Sequence, residues 1–143
     1  MRVNPHLCFD GSCRTAFAAY HRILGGSLVT MLTYGESPLA GQIAPERHTQ
    51  IIHATLRLGD MEITGVDIPA SDYRKPQGFF VTLTIDDPVE AGRIFDALAE
   101  GGEVRLAFQP TFWSPGFGVL VDRFWIPWEL NCSTPTREDA AHG

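Results

Sequence analysis

The chain has 143 residues, 44% of them hydrophobic and 20% charged, with a formal net charge of -6. These proportions are those of an ordinary globular domain and exclude an intrinsically disordered chain. Lys75 is the only lysine, so no basic stripe is available to neutralise a phosphate backbone, which argues against a nucleic-acid partner. The length predicts a single domain that folds without disulfide or metal staples.

Polar residues interrupt the segment that follows Arg2, so the sequence has no apolar signal-peptide stretch. No apolar run is long enough to span a bilayer, which argues against a membrane partner. Cys8, Cys13 and Cys132 form no CxxC pair and cannot all pair with one another, as is typical of a reducing compartment. These features predict a cytoplasmic protein.

The first half of the chain predicts one helix between strands. The predicted elements are a strand from Val3 to Phe9, a helix from Cys13 to Leu24, and strands from Ser27 to Thr33, Ile51 to Leu58 and Met61 to Val66. Ser12 is predicted to cap the helix and Gly25-Gly26 to end it.

The second half predicts the same succession. Its elements are a strand from Phe79 to Ile85, a helix from Pro88 to Glu100, and strands from Glu103 to Phe108, Gly118 to Val121 and Ile126 to Cys132. Asp87 is predicted to cap this helix, with Glu90 reaching back to it.

A weak internal repeat relates the two halves. Ala16, Tyr20, Ile23 and Gly26 recur in the second half as Ala91, Phe95, Leu98 and Gly101. The sequence therefore predicts an α+β fold of paired βαβββ modules, about 1–67 and 78–131, followed by a polar tail over 133–143. Because each helix covers only one face of its sheet, the other face is left to line a cavity.

Several segments resemble a known superfamily of small proteins. The segments Pro5 to Gly11 and Tyr20 to Gly26 resemble the glyoxalase and bleomycin-resistance, or vicinal oxygen chelate, superfamily. Three further segments resemble its PhnB-like branch: His53 to Asp60, Thr111 to Trp113 and Asp122 to Asn131. The resemblance implies an open, cupped, barrel-like sheet with the helices outside, commonly in a homodimer. Members of this branch are often labelled 3-demethylubiquinone methyltransferase, yet the sequence has no glycine-rich nucleotide loop for S-adenosylmethionine.

The resemblance also implies a set of metal ligands. Metal-using relatives place one ligand on the first strand, one on a later strand of the first module, one on the first strand of the second module and a glutamate on the last strand. His6, His53 and Glu129 stand at or near three of these places, while Phe79 and Phe80, which cannot ligate, stand near the fourth. Such a set suits a divalent ion such as zinc, iron, manganese, nickel or magnesium.

The alternative for these residues is a site without metal. His53 and Glu129 lie in apolar strands, where a buried ionisable group requires a partner, and a hydrogen bond serves as well as an ion. A one-residue slip in the register of the first strand would turn His6 to the other face of the sheet. If a metal is bound, Glu129 is a ligand or the catalytic base.

Aromatic residues near the C-terminus form a second group of candidates. Trp113 falls in a loop with Ser114, Pro115 and Gly116, where a tryptophan often forms the wall of a pocket. The predicted ligand contacts are Trp113, Phe112, Phe80 and Trp128. At Trp125 the relatives usually have a glycine.

Two classes of function follow from these observations. The first is a small-molecule-binding protein of the PhnB-like type, metal-free or with a degenerate metal site. The second is a divalent-metal-dependent lyase, isomerase or dioxygenase that acts on a substrate with vicinal oxygens. Because Phe79 and Phe80 take the place of a ligand, the sequence favours the metal-free binder.

Overall fold

The structure is a computed structural model that describes residues 1–133, so the predicted polar tail lies outside the described residues beyond Ser133. The chain divides into two compact units, Met1–Lys75 and a second unit that begins at Pro76. Each unit contains one helix and one four-stranded mixed sheet. The predicted α+β fold of two βαβββ modules is confirmed.

The first unit contains one α-helix, four strands and two short 3-10 helices. The elements are β1 (His6–Phe9), α1 (Cys13–Leu24), β2 (Ser27–Thr33), β3 (Ile51–Leu58) and β4 (Met61–Asp67), with the 3-10 helices Ala40–Gln42 and Pro45–Arg47 between β2 and β3. The strand order is β1-β4-β3-β2, with β1 parallel to β4 and the other pairs antiparallel.

The second unit repeats this topology without the 3-10 helices. Its elements are β5 (Val81–Ile85), α2 (Pro88–Ala99), β6 (Glu103–Gln109), β7 (Phe117–Val121) and β8 (Pro127–Cys132). The strand order is β5-β8-β7-β6, with β5 parallel to β8. In both units, therefore, the first strand lies at one side of the sheet and pairs with the last.

Two strands begin two or more residues later than the apolar pattern predicts. β1 begins at His6 rather than Val3, and β5 begins at Val81 rather than Phe79. Phe79 and Phe80 precede the ladder with β8, and each side chain is 46% exposed. An apolar residue that precedes a strand extends the apolar pattern of the sequence. The first residue of the strand, however, is set by pairing with the neighbouring strand.

The helix caps differ from the predicted ones in two respects. Ser12 makes no side-chain cap; instead Asp67 Oδ1, at the end of β4, accepts a hydrogen bond from Cys13 N at 3.0 Å. Asp87 caps α2 as predicted, accepting from Val89 N at 3.0 Å. Glu90 does not reach back to Asp87, because its carboxylate pairs with Arg93 one turn further along the helix.

Each helix covers one face of its own sheet. The buried face of α1 packs at β4, where a Cβ on Gly65 would lie 2.4 Å from the Phe17 ring. In the second unit a Cβ on Gly118 of β7 would lie 2.7 Å from the Phe95 ring of α2. Glycine at these two positions lets helix and sheet approach closely. The side chains on the opposite face of each sheet are not covered by its helix.

Neither of the two α-helices, each 12 residues long, could cross a membrane, and no helix within residues 1–133 is long and apolar enough to do so.

Candidate functional site

The uncovered face of the first sheet carries two of the predicted site residues. His6 lies beside Thr64 in the β1–β4 ladder, and Thr64 lies beside Thr55 in the β3–β4 ladder. His6 Nδ1 is 2.6 Å from Thr64 Oγ1, and His53 Nε2 is 3.2 Å from Thr55 Oγ1. Because His53 and Thr55 are two positions apart on one strand, all four side chains share one face.

His53 is not buried, as its place in an apolar strand had suggested, but exposed, and so is His6. Partial desolvation, followed by the charge of His53, lowers the pKa of His6 below its ordinary value. The two imidazoles are therefore close enough for the charge on one to affect the other. The first sheet brings together the two predicted histidine ligands.

We expect the titration of His6, followed by NMR, to have its midpoint below the ordinary histidine value of about 6.5. His53→Gln should move this midpoint upward, because it removes one of the two causes. His21→Gln, at an exposed position on α1, should leave it unchanged. A midpoint for His6 at or above the ordinary value would contradict the structure.

The lowered pKa of His6 also makes the free energy of unfolding depend on pH. Since the folded chain binds a proton at His6 less readily than the unfolded chain, the free energy of unfolding falls as the pH is lowered through the ordinary histidine pKa toward the folded one. His6→Gln should reduce this dependence on pH.

The uncovered face of the second sheet carries Glu129. Thr82 of β5 and Val119 of β7 lie on either side of Glu129 in the two ladders of β8. Two positions along β8, Asn131 lies between Thr84 and Phe117 in the same way. By the pairing of β5 with β8, Thr82 rather than Phe79 or Phe80 is the neighbour of Glu129 on the first strand of the module.

The residues that the resemblance offers as metal ligands do not fit a metal site. Among residues 1–133, no group of three or more His, Cys, Asp or Glu side chains is placed to hold a metal ion. The first sheet supplies His6 and His53, each with a ring nitrogen already hydrogen-bonded to a threonine hydroxyl. In the second sheet the neighbour of Glu129 on β5 is the hydroxyl residue Thr82, which is not among the ligands that divalent metals usually take.

The aromatic candidates separate into accessible and buried residues. Phe112 and Trp113 are 96% and 49% exposed, and the Trp113 ring lies 4.7 Å from that of Phe112 and 5.3 Å from that of Phe117. Phe80 is also accessible. Trp128 instead lies on the opposite face of β8 from Glu129, fully buried, and its Nε1 donates to Asp122 Oδ2 at 2.8 Å. Trp128 is therefore a side chain of the core and does not lie on the uncovered face.

The two buried cysteines, Cys13 and Cys132, are not activated thiols. Burial, together with the Asp67 carboxylate, raises the pKa of the Cys13 thiol, so the helix N-terminus does not make it a thiolate. Burial also raises the pKa of Cys132. All three cysteines are free thiols.

Sequence reasoning missed two polar groups of the second unit. Asn131 Oδ1 and Thr111 Oγ1 are buried side-chain oxygens without a hydrogen-bond partner in the described residues. The pattern alone placed Asn131 in the last strand but gave no reason to single it out. The alternation of β8, in which Trp128, Leu130 and Cys132 are buried, was the available signal, because it puts Asn131 on the face of Glu129.

Comparison with known proteins gives a family for the whole described chain. A family model described as 3-demethylubiquinone-9 3-methyltransferase matches residues 1–131. Protein YjdN of Escherichia coli (strain K12) is 35% identical over 139 residues, which is 92% of this chain and 95% of that protein. Both similarities run over nearly the full length of the chain.

Solved structures share the fold. The crystal structure of protein PA1353 from Pseudomonas aeruginosa has 40% identity and a TM-score of 0.87, covering 93% of this chain and 98% of that one. A putative 3-demethylubiquinone-9 3-methyltransferase, PhnB protein, from Bacillus cereus has 21% identity and a TM-score of 0.79, covering 93% of this chain and all of that one.

The wider superfamily is represented at the level of the fold alone. The fosfomycin resistance protein FosX from Listeria monocytogenes, complexed with Mn(II) and 1S,2S-dihydroxypropylphosphonic acid, has a TM-score of 0.64 at 10% identity. The match covers 100% of this chain and 98% of FosX.

Proposed function

We propose a function from the premise that this chain belongs to the PhnB-like family, described as 3-demethylubiquinone-9 3-methyltransferase, within the vicinal oxygen chelate superfamily. The proposed function is the binding of a small organic molecule without a metal ion. The uncovered sheet faces, with their threonine, aromatic and ionisable side chains, are the surfaces that would receive it.

One observation carries this proposal, namely the composition of the position beside Glu129. Thr82 pairs with Glu129 in the β5–β8 ladder, where a metal-using site would require a histidine or a carboxylate. On the neighbouring strands β5 and β8, Glu129 is then a single carboxylate among threonine and asparagine side chains. Such a set suits hydrogen bonding and charge recognition better than metal coordination.

The description of the family as a methyltransferase is not part of the proposal. The connection from β1 to α1 is Asp10-Gly11-Ser12, and that from β5 to α2 is Asp86-Asp87. A dinucleotide-type site requires several glycines in this turn, so that the backbone can approach the cofactor at the helix N-terminus. The first turn has one glycine and the second has none.

The alternative function is a divalent-metal-dependent enzyme acting on a substrate with vicinal oxygens. It is favoured by one observation, the proximity of His6 and His53 on a single sheet face; the charge of His53, after desolvation, is the second cause that lowers the pKa of His6. In FosX, which shares the fold, Mn(II) is present with 1S,2S-dihydroxypropylphosphonic acid, a compound with two adjacent hydroxyl groups. Glu129 would then be the third ligand or the base.

The metal content of protein purified without chelators distinguishes the two functions. We expect far less than one metal ion per chain by elemental analysis, and no rise in melting temperature when zinc, iron, manganese, nickel or magnesium is added. One tightly held ion per chain, lost in Glu129→Gln and in His53→Gln but kept in His21→Gln, would overturn the metal-free proposal and establish the alternative.

We also propose that the protein is a cytoplasmic homodimer. The free thiols of all three cysteines support a reducing compartment. Strand β6 is exposed along nearly its whole length, and its Val104 and Leu106 side chains are 49% and 40% exposed. Such apolar side chains on a strand at the side of a sheet suit contact with a second copy. Light scattering on the same preparation should return twice the mass of the chain.

A further inference from the structure

A cavity lies at one end of the second sheet, between two chain connections. Its volume is about 180 Å³, the room of about six water molecules, which suits a ligand the size of a free amino acid. The lining comes from the connection between α2 and β6 and from the turn between β7 and β8, and includes Gly101, Gly102, Glu103, Asp122, Arg123 and Trp125. Glu129 and Asn131 of the uncovered face do not line this cavity.

Arg123 brings a positive charge to the cavity. Its aliphatic stem lies along Gly101, since a Cβ on Gly101 would be 3.4 Å from Arg123 Cβ and 3.5 Å from Arg123 Cδ. The guanidinium carbon lies 4.7 Å from the centre of the Phe124 ring. Within residues 1–133 no ion pair is formed by Arg123. The guanidinium is therefore available to a carboxylate in the cavity.

The two acidic residues of the lining differ in what they already bind. The Asp122 carboxylate accepts three N–H groups, from Phe124, Ile126 and Trp128, so it holds the turn in place. Glu103 faces only Arg105, at 3.9 Å between two exposed side chains, and an exposed ion pair of this kind stabilises little. Glu103 is therefore the carboxylate that can receive a positively charged group.

The end of α2 adds to the negative side of the cavity. The helix ends at Ala99, and the lining residues Gly101 and Gly102 follow almost directly. Carbonyl groups at the C-terminus of a helix carry a partial negative charge. The last turn of α2 has no basic residue to balance that charge. An ammonium group beside Glu103 would balance it.

Trp125 supplies an apolar wall. The side chain is 48% exposed, and its φ of 74° is a conformation that glycine adopts at less cost. Backbone conformations of this kind are concentrated at binding and active sites. An indole ring beside a cavity offers a large apolar surface to a ligand. The cavity thus combines a cation, an anion and an apolar wall.

We propose that this cavity binds a free α-amino acid with an apolar side chain. The α-carboxylate pairs with Arg123, the α-ammonium lies between Glu103 and the end of α2, and the side chain packs on Trp125. A simple anion would meet the charge of Glu103, and a simple cation that of Arg123, so a zwitterion is the ligand that both charges favour. The inference goes beyond the proposed function and is independent of it, because neither uncovered sheet face takes part.

Four probes test the proposal on the full chain by NMR titration, followed at the Arg123 amide. Leucine is the complete ligand, isocaproate lacks its ammonium group, isoamylamine lacks its carboxylate, and glycine lacks its side chain. We expect leucine to bind most tightly. Each of the other three should bind about threefold more weakly or worse, because it loses one exposed charge contact or the apolar contact.

Two charge variants separate the ends of the ligand. Arg123→Gln should weaken leucine and isocaproate by about threefold or more and leave isoamylamine unchanged. Glu103→Gln should weaken leucine and isoamylamine and leave isocaproate unchanged. The matched control is Arg93→Gln, an exposed arginine on α2 that does not line the cavity. This variant should bind leucine as the unchanged protein does.

Trp125 variants test the apolar wall. Trp125→Gly suits the positive φ, so the variant should fold, and it should weaken leucine while leaving glycine unchanged. Trp125→Phe should retain most of the leucine affinity, because a ring remains. The control is Trp113→Phe, since Trp113 lies in the same unit and outside the cavity. It should leave the leucine affinity unchanged.

Three outcomes would overturn the proposal. The first is no shift of the Arg123 amide on addition of leucine, and the second is equal affinity for leucine and for either of its singly charged analogues. The third is an unchanged leucine affinity in both Arg123→Gln and Glu103→Gln. A metal ion bound at an uncovered face would contradict the proposed function and leave this proposal standing.

Discussion

Asp122→Ala is expected to lower the free energy of unfolding by about 3 to 5 kcal/mol, since it leaves several buried donors without an acceptor. Asp122 is buried at the β7–β8 turn. Its Oδ1 accepts from Phe124 N at 2.8 Å and from Ile126 N at 3.0 Å, and its Oδ2 accepts from Trp128 Nε1 at 2.8 Å. One carboxylate thereby orients the turn and fixes the tryptophan of the core.

The measurement is urea unfolding followed by tryptophan fluorescence, to which Trp128 contributes together with Trp113 and Trp125. Asp96→Ala, at an exposed position on α2, is the matched control and should change the free energy of unfolding by less than about 0.5 kcal/mol. Asp122→Asn should fall between the two, because an amide oxygen accepts in place of one carboxylate oxygen but its NH₂ group cannot. A loss below about 1 kcal/mol in Asp122→Ala would show that these bonds do not hold the turn.

The turn also contains the residue at which the relatives usually have glycine. Trp125 has φ of 74°, the one positive φ of a residue other than glycine among those described. A side chain there costs about 1 to 2 kcal/mol, and the Asp122 bonds on either side supply the compensation. Trp125 N also donates to the Asp122 carbonyl at 3.0 Å. Asp122 therefore holds the turn in the conformation that a tryptophan in place of glycine requires.

The helices were predictable because their signals are local. An apolar stripe of helical period, followed by two glycines, fixed α1 as Cys13–Leu24, and Asp87-Pro88 fixed the start of α2. The start of β5 was not predictable in this way. Phe79, Phe80 and Val81 are all apolar, so alternation does not identify the first paired residue, and pairing with β8 decides it.

The carboxylate that organises the first unit could not be predicted, since its partners are remote in sequence. Asp67 accepts from Cys13 N and from Ile51 N, 54 and 16 positions away along the chain. A single aspartate at the end of an apolar strand carries no local sign of such bonds. The sequence suggested Ser12 as the cap because capping rules consider only the adjacent residues.

In the candidate site, too, local features were predictable from the sequence and features that depend on strand pairing were not. His6 and His53 were correctly placed on strands, but only the parallel β1–β4 pairing puts them on one face. Trp128 was predicted to contact a ligand because aromatic residues are concentrated near the C-terminus, although successive residues of a strand face opposite ways and Trp128 is buried. Applying that alternation would have placed Asn131, and not Trp128, on the face of Glu129.

Gly26→Ala is expected to lower the free energy of unfolding by about 3 to 5 kcal/mol, combining a backbone cost and a steric cost. Gly26 follows α1 with φ of 77°, and a Cβ there would lie 2.2 Å from the carbonyl oxygen of Arg57 in β3. That oxygen belongs to the strand that pairs with β2, so it cannot move without disturbing the sheet.

Two other glycines, Gly25 and Gly102, separate the backbone cost from the steric cost, and urea unfolding measures all three variants. Gly25 has φ of 80° and ψ of -146° but open space around its Cβ position, so Gly25→Ala should cost about 1 to 3 kcal/mol from the backbone alone. Gly102 has no positive φ, but its Cβ would lie 2.2 Å from the carbonyl oxygen of Val121, so Gly102→Ala should carry the steric cost alone, about 1 to 3 kcal/mol. If Gly26→Ala cost no more than Gly25→Ala, the close approach of helix end and strand would be refuted. The equivalent contacts of Gly26 and Gly102 with their own sheets are the physical reason that the Gly-Gly pair recurs in both halves of the chain.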